Sequence, residues 1–566
     1  MKKIVISLVL LCLAFAASAQ EFHIVTTGDV HGSYFNRPYV GNKYRPSLMS
    51  VKWYVDSLRA AVGPENVLLL DAGDALQGDN ASYYFNYVAT EEPHIFPRLV
   101  AYMGYDACIV GNHDIEAGHP VYDRVRGQFD ALGIPYLAGN AFKDDGTTYF
   151  DEYALLQKGT HRVLVMGYNN ANIDGWLAPD LWEGMHHKSL TMVRKRVKKL
   201  KAQLKPDIVV VVVHSGTGKG DGSSYESQGL DIFKHLKGVD VLVTAHDHIP
   251  ACIYSHDGKS WLVNGGARCG NVGHAVLGFK DGKVSSRSAE IRRMDKMKVD
   301  EAMVARFDPE FQTVKDFTVQ PVGQLEVPLM TRDAYSGMSP YIDLLHTVQL
   351  RASGADVSLA APLTYDGKVR PGQLVFNDLF TIYPFENQLY VLNLKGREIK
   401  DLLEFSYDHW ICWSGEHVLS IKEAPDPRTG ARKWSFVFRS YNFDSAAGIN
   451  YTVDVNKSAG SRVTISSFAD GRPFDEDAVY KVAMTSYRAN GGGEMLTNGA
   501  HIAHSKLNDR IVARLPEIRE LIYQYIRSHG SIGPSLFSDR AVLGEWKFVP
   551  EKTVAPLMEK DLDLLF

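Results

Sequence analysis

The strongest constraint on this chain is how the apolar runs of its first half end. Phe22–Thr26, Asn66–Leu70, Ala107–Val110, Arg162–Met166, Asp207–Val213 and Val239–Thr244 are short, rich in Val, Ile and Leu, and mostly lack polar alternation. Such runs suit strands covered on both faces, as in a layered α/β architecture. Five of them lead directly into clusters of Asp, His, Asn and Gly: Gly28-Asp29-Val30-His31-Gly32, Asp71-Ala72-Gly73-Asp74, Gly111-Asn112-His113-Asp114, His214-Ser215-Gly216 and Ala245-His246-Asp247-His248. Loops at the carboxyl ends of strands are where α/β sheets place their ligands, so these loops can meet at one site.

The clusters carry metal-binding residue types. Asp29 and His31 are two apart, and alternate residues leaving a strand project to one side, so a carboxylate and an imidazole can reach one ion. Asp74 adds a carboxylate whose two oxygens can bridge two cations. Asn112 offers an amide oxygen, and His214, His246 and His248 offer imidazoles. Mixed nitrogen and oxygen donors suit Zn²⁺, Mn²⁺ or Fe and rank Mg²⁺ behind them, because dedicated Ca²⁺ or Mg²⁺ sites use oxygen alone. Each cluster alone reads as a capped loop or turn. Their joint occurrence, in order and each after an apolar run, argues for a site.

A chain of 566 residues exceeds one ordinary core, so at least two domains are expected. With 61 basic and 66 acidic residues and a net charge of -5, it lacks the clustered positive charge of a protein that coats nucleic acid polymers. The start, Lys2 and Lys3, an apolar run from Ile4 to Ala17, then Ala17-Ser18-Ala19, reads as a secretory signal peptide cleaved after Ala19. That predicts secretion across the inner membrane to the periplasm or cell surface. No later stretch approaches the roughly 20 apolar residues of a membrane span. Cys108, Cys252, Cys269 and Cys412 form no C-x-x-C pair; a Cys252–Cys269 disulfide and four free thiols both remain open. The basic stretch His187–Leu204 predicts a solvated amphipathic helix. No protein partner can be inferred.

The ordered set D-x-H, G-D, G-N-H, H-S-G and H-x-H resembles the calcineurin-like metallophosphoesterase family. The resemblance implies a β-sandwich flanked by helices and two divalent cations. By position, Asp29, His31 and His248 would hold the first ion. Asn112, His214 and His246 would hold the second, with Asp74 bridging. His113 matches the family's catalytic histidine, and Asn112 would share in stabilising phosphoryl charge. The sequence departs from the family in two places. Ala245 stands where the last motif has glycine. Glu116 stands where the nucleotidase branch has an aspartate paired with the catalytic histidine. Asp114, adjacent to His113, is the poorer partner.

The second half extends the resemblance. Tyr383–Asn387, Leu394–Ile399, Tyr441-Asn442-Phe443-Asp444 and Tyr487-Arg488-Ala489-Asn490-Gly491-Gly492-Gly493 are similar to the C-terminal domain of secreted 5′-nucleotidases and of 2′,3′-cyclic phosphodiesterase/3′-nucleotidases. The fold class implied is α/β (α+β), with a phosphoesterase domain over 20–294 after the 1–19 signal. A helical connector follows over 295–318. A smaller mixed α/β substrate-binding domain covers 319–550, with a tail over 551–566. In that family two aromatic rings sandwich a nucleobase: Tyr487 matches one, and Phe443, with Tyr441 as rival, the other. Asn387 and Gly492 join them as substrate-binding candidates. The G-G-x-R arginine of 5′-nucleotidases has no match in Ala360–Tyr365, leaving Arg370 or Arg397 as substitutes. The implied function is a 5′-nucleotidase acting on nucleotide substrates. The alternatives are a 2′,3′-cyclic-nucleotide 2′-phosphodiesterase/3′-nucleotidase and a non-catalytic nucleotide-binding protein.

Overall fold

The computed structural model describes residues 20–41, 43–224, 226–425 and 430–566; the predicted signal peptide lies outside them. The chain forms two compact units. The first runs to Gln312, and the second begins at Thr313 and also takes the short segments 78–80 and 175–179. The predicted connector contains two helices, Glu301–Arg306 and Asp308–Thr318, and the division falls inside the latter.

The first unit is built on two six-stranded sheets. One runs, neighbour to neighbour, Lys283–Arg293, Asn271–Lys280, Gln20–Thr27, Val67–Asp71, Ala107–Ile109 and Tyr136–Leu137. The other runs Ala251–Tyr254, Trp261–Asn264, Val241–Thr244, Ile208–Val213, His161–Tyr168 and Tyr153–Lys158. Alternate residues explain the lack of polar alternation. Val163 and Val165 join Phe22, Ile24, Leu68 and Leu70 in the core shared by the two sheets. Leu164 and Met166 instead pack on the other side with Val193, Val197 and Leu200. A strand buried on both faces has no solvated side to be polar on.

The register sets the strand ends level. Thr27 pairs with Asp71 and Asp71 with Cys108 in parallel; Tyr168 and Thr244 both pair with Val213 in parallel. The polar clusters therefore leave each sheet along its carboxyl edge. The helix predicted over His187–Leu204 is shorter. It runs Val193–Leu204, after a 3₁₀ turn at Leu190–Met192 whose start is capped by the Ser189 hydroxyl. Cys108, Cys252, Cys269 and Cys412 are free thiols. Among the described residues, no helix is long and apolar enough to cross a membrane.

The second unit centres on a five-stranded sheet ordered Ser445–Ala447, Val357–Ala360, Val479–Thr485, Gln388–Lys395 and Ile511–Glu517. The long helices Pro340–Ser353, Gly396–Trp410 and Ile518–His529 accompany it. Residues 551–566, expected to be a tail, instead form the helix Glu551–Leu565. Its Asp561 is fully buried and accepts hydrogen bonds from the Val418 and Leu419 amides. Local sequence could not reveal this, because the partners lie more than a hundred positions away.

Candidate metal centre

Eleven non-glycine residues among those described have positive φ, and five of them are Asp29, His31, Asp74, His246 and His248. A side chain in this left-handed region costs of order 1–3 kcal/mol and persists only where surroundings over-determine it. The loops brace one another. Asp29 N donates to Gly73 O, and His31 N to Asp74 O, both at 2.9 Å. The His246 amide donates to the Asp29 carboxylate at 2.9 and 3.0 Å. Gly73 is obligatory: a Cβ there would stand 2.7 Å from Gly111 N and 2.8 Å from His214 Nδ1.

Bracing of this kind aims two donor sets inward, Asp29–His31–His248 and Asp74–His214–His246, each with its ligand atoms within 4.8 Å of one another. Asn112 Oδ1 lies 2.8 Å from His246 Nδ1 and so joins the second set. All seven predicted ligand residues thus lie along this edge.

The chemistry of the donors fits divalent cations. His31 Nδ1–H donates to Gln77 O at 3.1 Å, and His214 Nδ1–H to Ala72 O at 2.7 Å. A carbonyl can only accept, so Nδ1 carries a proton in both rings and Nε2 is the nitrogen left to meet a cation, the orientation that carbonyl partners impose on metal-binding histidines. His31 Nε2 and His248 Nε2 stand 2.9 Å apart. His214 Nε2 is 2.9 Å from Asp74 Oδ2, yet both atoms are buried and neither forms a well-directed hydrogen bond. The short separation is a convergence of two donors on one point rather than a made bond.

Electrostatics divide the histidines. Burial, then the neighbouring His248, hold His31 well below the usual imidazole range. Burial pushes His248 down to about 3. For His214 burial acts the same way, but Asp74 and then Asp29 outweigh it and lift the ring to about 10. Burial raises Asp29 well above the ordinary carboxylate range. In Asp74 burial is outweighed by His214 and His113, which hold it well below that range.

His113 lies beside this edge at the start of the one-turn helix Asn112–Glu116. Its ring centroid is 5.4 Å from that of His31, and its amide donates to Asp74 Oδ1 at 2.8 Å. Nδ1 is 2.5 Å from Glu116 Oε2, so the longer acid does reach the histidine. Asp114 serves the backbone instead. Its carboxylate accepts from the amides of Asp74, Ala75, Leu76 and Gly111, fixing the metal loops.

The second unit separates the substrate-binding candidates. Phe443 is completely buried and stacks on Trp410, with centroids 5.4 Å and planes 9° apart. It is a core residue closed to a base, which corrects its assignment as a stacking ring. Tyr441 and Tyr487 are half-buried. The buried Arg488 ties their loops together: it pairs with Asp444 at 2.7 Å and donates to Tyr441 O at 3.1 Å and Gly492 O at 2.7 Å. At Gly492 a Cβ would lie 2.4 Å from the Tyr487 ring, so this glycine lets backbone pass under the ring. Asn387 is half-buried, its amide 3.4 Å from Tyr383 Oη. Arg397 is exposed and pairs with Asp477 at 3.1 Å.

Sequence reasoning missed four residues at these places. Arg488 lies inside the Tyr487–Gly493 motif, whose wording does not reveal that it ties two loops together. Glu226 brings Oε2 to 3.9 Å from His246 Nε2. Arg268 has φ 53° and donates its amide to Asp29 O at 2.8 Å. Gln77 touches both His31 and Glu116. None of the last three has a local pattern that marks it.

Residues 22–250 match the family described as calcineurin-like phosphoesterase, and residues 321–498 match the 5′-nucleotidase C-terminal domain. The trifunctional nucleotide phosphoesterase protein YfkN of Bacillus subtilis is 22% identical over 92% of this chain, which spans only 38% of that relative's length. The 2′,3′-cyclic-nucleotide 2′-phosphodiesterase/3′-nucleotidase of Salmonella typhimurium is 24% identical over 87% of this chain and 85% of its own. Among solved structures, a putative 5′-nucleotidase from Staphylococcus aureus superimposes with a TM-score of 0.77 at 20% identity, covering 93% of this chain and 99% of its own. That likeness shows a shared fold.

Proposed function

The chain belongs to the phosphoesterases that join a calcineurin-like domain to a 5′-nucleotidase C-terminal domain, and from that premise we propose that it hydrolyses nucleotide phosphate monoesters to nucleoside and phosphate outside the cytoplasm. The family makes it a metal-dependent phosphoric ester hydrolase. The observation that carries the reading is the adjacency of the two donor sets to the His113–Glu116 pair.

In this reading Asp29, His31 and His248 hold one divalent cation, and Asn112, His214 and His246 the other, with Asp74 shared. Zn²⁺, Mn²⁺ or Fe fits these nitrogen-rich donors better than Mg²⁺. When bound, the cations supply Lewis acidity toward the phosphoryl oxygens and the attacking water. The chain's own residues do the rest. Asn112 and His113 face the charge that develops on the phosphoryl group. Glu116 Oε2 takes the Nδ1–H of His113, which fixes the ring's tautomer and favours its protonated form. His113 Nε2 then hands a proton to the departing oxygen. Tyr487 and Tyr441 supply flat faces for a base, and stacking tolerates any base. The apolar start of the chain supports export to the periplasm or cell surface.

A second reading, a 2′,3′-cyclic-nucleotide phosphodiesterase with 3′-nucleotidase activity, is favoured by the Salmonella typhimurium relative so named, 24% identical over 87% of this chain. Phosphate release with 5′-AMP, 3′-AMP, 2′,3′-cAMP and an aryl phosphate separates the two, with Asp74→Ala as control. Release from 5′-AMP that the variant loses supports the first reading. Turnover confined to 3′-AMP and 2′,3′-cAMP replaces it with the second. No turnover on any substrate leaves nucleotide binding without catalysis.

A further inference from the structure

Gln77 closes the loop that carries Asp74, and it is 1% exposed. Its side chain and its backbone are both engaged. Its side-chain Nε2 donates to Glu116 Oε2 at 2.9 Å, the same oxygen that lies 2.5 Å from His113 Nδ1. Its backbone oxygen accepts the His31 Nδ1–H at 3.1 Å. The base it stands on is rigid. Asp114 Oδ1 holds the amides of Ala75 and Leu76 at 3.0 Å, and Asn86 Nδ2 donates to Leu76 O at 2.7 Å.

Glutamate has one more rotatable bond than aspartate, so Glu116 needs an anchor if its carboxylate is to hold a ring in one orientation. We propose that Gln77 is the positioning residue of the His113–Glu116 pair, its amide pinning Glu116 Oε2 so that the carboxylate presents a fixed acceptor to His113. This rests on the reading of His113 as the acid that protonates the leaving oxygen. Gln77 touches neither substrate nor cation; it acts through Glu116. Because the same residue orients His31 through its backbone, side-chain substitution removes the Glu116 anchor and leaves the His31 contact in place.

The test uses Gln77→Met, which keeps length and loses the donor, and Gln77→Glu, which keeps shape and puts an acceptor where the donor was. Zinc-loaded protein with ¹⁵N-labelled histidine gives the His113 ring titration and its Nδ1–H signal. Turnover is measured on the better of 5′-AMP and 3′-AMP and on p-nitrophenyl phosphate. The expected result is a moved His113 titration and a kcat on the nucleotide lower by about tenfold or more with KM unchanged, the size of effect that follows loss of a hydrogen-bond partner behind a site residue. Turnover of the aryl phosphate, whose leaving group needs no proton, should stay within about twofold. In a Glu116→Gln background, Gln77→Met should cost nothing further. If the His113 titration and Nδ1–H signal are unmoved in both variants while metal content is unchanged, the proposal is overturned. If they move but both substrates slow equally, the anchor stands and the leaving-group role of His113 falls.

Discussion

His31 and His248 bring their Nε2 atoms to 2.9 Å although 217 positions separate them in sequence. Two nitrogen lone pairs repel at that distance unless a proton or a cation lies between them, so a bound cation would take the place of the proton that one ring otherwise shares with the other. A cation-binding edge of this kind couples metal to stability. Removing bound metal with a chelator should abolish phosphate release and lower the Tm of the first unit. The loss is RT ln(1 + [L]/Kd), about 2.7 kcal/mol when free metal had stood at 100 Kd. Calorimetry with and without chelator checks this; an unchanged Tm would mean that these histidines bind no ion.

The aromatic residues of the second unit make opposite predictions. Phe443→Ala opens a hole beside Trp410 and should cost about 3–5 kcal/mol of stability, read in denaturant melts. Tyr487→Ala should leave stability nearly intact and weaken nucleotide binding by about 1–3 kcal/mol, the worth of one stacked base. Its KM for p-nitrophenyl phosphate should not move, since that substrate has no base to grip. Equal effects on both substrates would remove Tyr487 from base recognition.

Glu116→Gln tests the acid directly. The amide keeps the size of the side chain and loses its charge, so it no longer favours protonated His113. kcat on a nucleotide should fall by about 10²-fold or more, the low end for a general acid, while p-nitrophenyl phosphate loses much less. A uniform loss on both substrates in steady-state kinetics would argue that the pair serves binding or metal loops instead.

The metal edge was legible in sequence for a physical reason. Each ligand cluster follows a strand within a few residues, so the topology that levels Thr27, Asp71 and Val213 also gathers the loops after them. Residue chemistry and strand order sufficed. The aromatic choice was not legible in this way. Tyr441 and Phe443 flank Asn442 and both suit a base; which one faces outward depends on Trp410, 33 positions before Phe443, and on Phe436, whose rings pack against Phe443. Gln77 was hidden because its role comes from what it touches, and the 551–566 helix because one buried carboxylate, Asp561, anchors it to Val418 and Leu419.

Acid should destabilise both units through buried neutral histidines that are not among the candidate metal ligands. His94 is fully buried, accepts the Phe96 amide on Nδ1 at 3.1 Å and faces Asn86 Oδ1 with Nε2 at 3.0 Å, so it caps a helix only as the neutral tautomer. His346 sits between the Ser358 and Ser445 hydroxyls at 3.0 and 3.2 Å. Burial pushes both rings down to about 3. In the unfolded chain each titrates near 6.5. The unfolded state therefore binds the proton first, and the stability each ring contributes is complete above pH 6.5 and is lost as pH falls toward 3. The slope is at most about 1.4 kcal/mol per pH unit for each histidine. His94→Gln cannot take up that proton and should flatten the acid limb for the first unit, while leaving that of the second unchanged. Denaturant melts from pH 7 to pH 4, followed by a probe in each unit, check this. An acid limb as steep in the variant as in the parent would show that other groups, not His94, set the acid sensitivity of that unit.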